Sequence, residues 1–219
     1  MDLVDKYLQV ETLSVVLLGD FNPIIFQPTW LANKGLIRLD EAENANVEII
    51  HNEIAKFDLG WIYIEITKSR CMFKTSMEPY FKPLKDLVSG IFKILKETPI
   101  NAIGINHIYD LGLQDDKKYY KFGASLTPLN YWESDLTNPK LLQLEIFEHN
   151  QDENNSDSRR IKIASSDKIA TYGVIFSINN HFTIGTPRSR IFEVLENLID
   201  KTRPESKKII KNIFSQIEL

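Results

Sequence analysis

The chain has 219 residues, 43% of them hydrophobic and 26% charged, and its 26 Lys and Arg against 30 Asp and Glu give a formal charge of −4. That composition lies outside the low-hydrophobicity regime of disorder, and the charge gives the whole molecule no attraction for a phosphate backbone. A single cysteine, Cys71, excludes an intramolecular disulfide framework and a Cys-rich zinc site, and suits a reducing compartment.

The N-terminus, Met1-Asp2-Leu3-Val4-Asp5-Lys6, lacks the basic and apolar regions of a secretory signal, and no apolar run is long enough to span a bilayer. A cytoplasmic protein without a membrane partner is expected. Residues 13–18 form an apolar run suited to a strand buried on both faces. Asp20, Asn22 and Pro23 break it, and Pro28 opens a short helix through Trp30 and Leu31 that ends near Gly35. Residues 40–46 are polar and read as a loop. Residues 47–51 and 61–67 read as strands, the second with Ile62, Ile64 and Ile66 alternating against Trp61, Tyr63 and Glu65. Lys68 and Ser69 connect it to a hairpin partner at 70–75. Residues 79–96 form the clearest helix, with Phe81, Leu84, Val88, Ile91, Phe92 and Leu95 at three-four spacing and Pro99 beyond its end. Pro83 leaves its start open.

Residues 102–109 resume as a strand carrying Gly104, followed by a short helix at 118–126 and a strand at 141–148. Residues 150–158, Asn-Gln-Asp-Glu-Asn-Asn-Ser-Asp-Ser, read as a flexible polar loop. Strands follow at 160–164 and 172–178. Thr186-Pro187 opens a helix, and Thr202-Arg203-Pro204-Glu205 has the form of a capping box that starts a separate last helix. The order strand, short helix, three strands, long helix thus occurs twice. The expected fold is α+β: tandem β-α-βββ-α halves forming a curved antiparallel sheet packed against long helices, one compact domain over residues 1–219 with lobes at about 12–98 and 99–219.

This tandem order resembles the topology of the TATA-binding-protein-like and helix-grip folds, which implies a shape and no activity. The segments Lys85-Asp86-Leu87, Thr98-Pro99-Ile100, Gly104-Ile105-Asn106-His107 and Asn179-Asn180-His181-Phe182 resemble those of a family of uncharacterised bacterial proteins of similar length. Asn180 stands where that family has an acidic residue, and Ile108-Tyr109 follows His107. The resemblance implies a bacterial or phage origin and assigns no functional residue.

Candidate chemistry is sparse. His51, His107, His149 and His181 show no metal-ligand spacing, and Gly104 and Gly185 lack the companion glycines of a phosphate-binding loop, so neither metal nor nucleotide cofactor is implied. Asn106, His107 and Asp110 form the densest polar cluster and a candidate ligand site, in which Asp110 would orient His107 as a carboxylate orients a base; satisfying backbone amides at a strand end is the plainer role. Arg159, Arg160 and Lys162 form a candidate nucleic-acid strip, against a plainer role as a solvated edge. Trp30, Trp61, Tyr63, Tyr131 and Trp132 lie near segment boundaries, where an exposed group would mark a protein interface. The leading expectation is a non-enzymatic interaction or assembly module with a protein partner or a second copy. A nucleic-acid-binding domain and a small-molecule site or hydrolase are the alternatives.

Overall fold

The computed structural model describes residues 3–149 and 157–218. A short helix α1 (Leu3–Tyr7) leads into β1 (Leu8–Gly19), whose Leu13, Val15 and Leu17 are fully buried on one face. Helix α2 (Pro28–Asn33) has Pro at its first position, and Gly35 follows it with φ +68°, the left-handed turn that glycine adopts without strain. The polar stretch expected as a loop instead holds a helical turn, α3 (Leu39–Glu43), because the Glu41 carboxylate accepts from the Arg38 amide and closes its first turn.

Strands β2 (Asn46–Ile50), β3 (Ile54–Asp58), β4 (Tyr63–Thr67) and β5 (Arg70–Thr75) form a meander. The sequence pattern leaves β3 out. It is five residues long with only Ala55 and Phe57 turned inward, and the turn that ends it depends on Asp58 Oδ1 accepting from the Gly60 amide at φ +85°. The hairpin of β4 and β5 forms as expected, with Ile64 opposite Phe73. Helix α4 (Phe81–Ile94) tolerates Pro83 because that residue falls in its first turn, where amides have no helical acceptor.

Strand β6 (Ile100–Gly112) is longer than its sequence pattern, and α5 (Asp116–Leu126) is capped by Asp115, whose carboxylate accepts from the Lys118 amide at 2.8 Å. Strands β7 (Gln143–His149), β8 (Ser158–Ser165) and β9 (Gly173–Thr183) follow. Of the loop expected at 150–158, residues 150–156 lie outside the described residues, and Ser158 already belongs to β8. Helix α6 (Ser189–Glu193) begins two residues after Pro187 and continues through a wide π-helical turn (Val194–Leu198) into α7 (Ile199–Ile217). The Thr202–Glu205 box therefore starts no helix. Thr202 lies inside α7, where its hydroxyl donates back to the Leu198 carbonyl at 2.8 Å, and Pro204 is accommodated within the same helix.

The nine strands form one curved antiparallel sheet in the order β2-β3-β4-β5-β1-β6-β9-β8-β7. The opening strands of the two halves, β1 and β6, lie side by side at its centre, and in each half the next strand lies at the sheet edge and the later ones return towards the centre, with one strand more in the first half. Helices cover one face over two apolar cores. One gathers Leu13, Val15, Phe73, Leu84, Val88, Ile103 and Val194; the other gathers Tyr7, Phe122, Phe176, Ile178, Ile210 and Phe214. Helix α7 reaches both, through Ile199 at its start and Ile210, Phe214 and Ile217 further on.

Candidate functional site

The alternation of β6 separates the residues of the sequence cluster. Ile103, Ile105, His107, Tyr109 and Leu111 turn towards the helices and are at most 1% exposed. Asn106 and Asp110 turn to the opposite face. His107 and Asp110 therefore do not orient one another. Asp110 is instead covered by the loop between β8 and β9: Ser166 donates to its Oδ1 at 2.6 Å, and Lys168 Nζ lies 3.0 Å from Oδ2. Asn106 pairs across strands, its Oδ1 accepting from Asn179 Nδ2 at 2.5 Å. Gly104 allows that contact, since a Cβ there would meet Asn179 Nδ2 at 3.2 Å.

On the helix side, His107 sits in a polar band between the two cores, beneath α7. Glu11 faces inward from β1 and is held by Arg203 through two bonds of 2.7 and 2.8 Å, a bidentate pairing that suits the planar guanidinium. Arg203 also reaches Glu78 at 3.1 Å and lies 5.0 Å over the Phe81 ring, and Lys207 lies 3.6 Å from Glu11. Sequence reading missed this assembly. An acidic residue on the apolar face of β1 was its only local signal, because Arg203 lies 192 positions away.

His107 Nε2 lies 2.9 Å from Thr202 Oγ1. The Thr202 hydroxyl gives its single hydrogen to the Leu198 carbonyl, so its oxygen accepts from His107 Nε2–H and the other ring nitrogen, Nδ1, is left as a bare acceptor. Nδ1 is buried and meets no donor among the described residues. Burial pushes the His107 pKa down to about 4, with the neighbouring Glu11 opposing the shift and Arg203 adding to it. The ring is neutral at pH 7. The same burial raises the pKa of the Tyr109 hydroxyl and of the Cys71 thiol, which leaves Cys71 a small core residue without thiolate character.

The three residues of the basic strip also divide between faces. Arg159 faces the helices, where it donates to Asn180 Oδ1 at 2.9 Å and pairs with Glu205 at 2.8 Å and Glu148 at 3.4 Å. Arg160 and Lys162 face the other way, Arg160 beside Glu145 at 3.6 Å. That second face is half-exposed across β4, β5, β6 and β9 and is mixed in charge. Lys56 and Arg70 both pair with Glu65, while Lys74 and Lys162 form no ion pair among the described residues.

The two edges of the sheet differ. Strand β2 is bulged between Val47 and Ile49. Strand β7 pairs with β8 in unbroken register over seven residues, contains neither Lys nor Pro, and exposes Ile146 by 50% and Phe147 by 59%. Tyr131, Trp132, Leu136 and Leu142, in the connection before it, are more than half exposed. Trp61, by contrast, stacks on Tyr80 and donates to Glu41, so it presents no interface.

Among the described residues no group of three or more His, Cys, Asp or Glu is placed to hold a metal ion, and no helix is long and apolar enough to cross a membrane. In comparisons with known proteins, no protein-family model and no curated sequence matches the chain.

Proposed function

We propose that the protein is a non-enzymatic assembly module that pairs with a second copy of itself through the β7 edge. The observation that carries this reading is the contrast between the edges. A strand edge offers a row of backbone donors and acceptors, and sheets normally blunt it with bulges, lysines or prolines. β2 carries such a bulge and β7 does not; both edges expose apolar side chains, Val47 and Ile49 on β2 and Ile146 and Phe147 on β7, so the unbroken register of β7 is what sets it apart.

The side chains of β7 favour self-pairing in one register. An antiparallel pair about a two-fold axis at Phe147 places Phe147 opposite its own copy, Glu145 opposite His149 and Ile146 opposite Glu148. An axis at Glu145 would set two like charges against each other. The aromatic pair supplies apolar burial at the centre, and the Glu145–His149 pairs complement each other on either side.

Size-exclusion chromatography with light scattering tests the reading. The native chain should elute with twice the 25.3 kDa chain mass at micromolar concentration. Phe147→Glu should elute at the single-chain mass with the native circular-dichroism spectrum retained, because Phe147 packs in no core. A native chain that remains single at every concentration overturns the reading.

Nucleic-acid binding has weaker support. Arg159 is neutralised by two carboxylates, and Lys74 and Lys162 are the unpaired cations among the face residues described above. A filter-binding titration separates the readings, since phosphate contacts weaken steeply with salt.

A further inference from the structure

Asp58, Tyr63 and Lys74 stand side by side on three adjacent strands. Asp58 of β3 lies directly opposite Tyr63 of β4, and Tyr63 lies directly opposite Lys74 of β5. The two charged residues are therefore two strand spacings apart at the backbone, about 10 Å, with the phenol ring between them. All three line a cavity of about 370 Å³, within the range of small-molecule sites, together with Trp61 and Met77.

Neither charge is neutralised by another among the described residues. Lys74 forms no ion pair there, and Asp58 is engaged through Oδ1 alone, which accepts from the Gly60 amide at 2.6 Å. Two residues along β4 the opposite holds: the Glu65 carboxylate lies among cations and pairs with both Lys56 and Arg70. With Tyr63 between them, Asp58 and Lys74 do not meet. The apolar wall beside them is fixed. Trp61 stacks on Tyr80 with ring centroids 5.3 Å apart and donates its indole N–H to Glu41 at 2.8 Å, while Met77 is 48% exposed. A wall already held in place loses little side-chain freedom when a ligand settles on it.

We propose that this cavity binds a zwitterion of the amino-acid kind with an apolar side chain: its ammonium on Asp58 Oδ2, its carboxylate on the Lys74 ammonium, and its side chain against Trp61, Tyr63 and Met77. The flexible four-carbon stem of Lys74 brings its charge to a small ligand held at Asp58. A ligand with one charge leaves the other side chain unanswered, so the arrangement selects against simple amines and simple carboxylates. The site lies towards the β2 end of the sheet, away from the β7 edge, and does not depend on self-pairing.

Phenylalanine, phenylalaninamide and N-acetylphenylalanine are the probes, because the second lacks the carboxylate and the third lacks the ammonium. In isothermal titration of the native chain at about pH 6, where the free amines are protonated, phenylalanine should bind about five-fold more tightly than either analogue, the worth of one half-exposed charged contact. Lys74→Met should lose the preference over phenylalaninamide and keep the preference over N-acetylphenylalanine. Asp58→Asn, whose side-chain oxygen still accepts from the Gly60 amide, should do the reverse. No binding of phenylalanine at millimolar concentration, or equal binding of the probes to the native chain, overturns the proposal even if the variants fail to fold.

Discussion

Neighbouring residues of the central strands meet opposite environments. Phe176 is sealed in the second core against Phe122 and Phe214, whereas Ser177, the next residue of β9, faces the half-exposed side opposite Ile108 and Lys162. His107 lies under α7 with one nitrogen unserved, whereas Asn106 beside it is tied to Asn179 on the open face. What a polar residue can do here depends on its face more than on its chain neighbours. The covered face turns polar groups into buried acceptors and locked ion pairs, and the other face leaves them half-exposed except where, as at Asp110, the loop between β8 and β9 seals them.

Three measurements would break or sharpen this contrast. The largest effect is expected from Phe176→Ala, which should cost about 4 kcal/mol of unfolding free energy through the cavity it leaves, while Ser177→Ala stays within about 0.5 kcal/mol. Denaturant titration gives both values, and similar losses at the two positions would refute the assignment of faces.

The next effect is a pH dependence. The folded His107 pKa of about 4 lies below its ordinary 6.5, so the unfolded chain takes up the proton first. Stability from this group is fully present above pH 6.5 and is lost as pH falls towards 4, by about 3 kcal/mol in all. Glu11 and Arg203 are the charged groups that modulate it. His107→Gln should remove that component of the pH slope, and parallel slopes for variant and native chain would show that His107 is not held neutral by burial.

The smallest of the three concerns the ion pairs. Glu11→Gln should cost about 2 kcal/mol, below the 3–5 kcal/mol of a fully buried pair because the Arg203 side chain is 31% exposed. Glu65→Gln on the open face should cost less than about 1 kcal/mol, because the Glu65 side chain is 20% exposed against 6% for Glu11 and solvent can replace its carboxylate. Thermal melts of the two variants rank them directly, and equal shifts would mean that the covered face adds nothing to its pair.

Much of the fold was legible because periodicity is local. Ile62, Ile64 and Ile66 announce β4 by alternation, and Leu84, Val88 and Ile91 announce α4 by three-four spacing; all six are buried as expected. The misses arose where local chemistry has two outcomes. Thr202-Arg203-Pro204-Glu205 can cap a helix or run inside one, and the continuous run from α6 through the π-helical turn decided for the second. Residues 54–58 alternate too briefly to stand out, and β3 is held mainly by its neighbours β2 and β4.

The candidate site was far less legible. His107 was visible as a polar residue in an apolar strand, and the partner assigned from sequence, Asp110, lies three residues on and hence on the other face. Its actual partner, Thr202, lies 95 positions away, and the Glu11–Arg203 pair spans 192. By itself the sequence determined the alternations, most helices and the α+β class, because hydrophobic spacing sets which side of each element is buried. Tertiary structure alone decided which polar groups meet, which ring nitrogen stays without a partner among the described residues and which strands lie at the sheet edges, because those depend on strand order and on where α7 crosses the sheet.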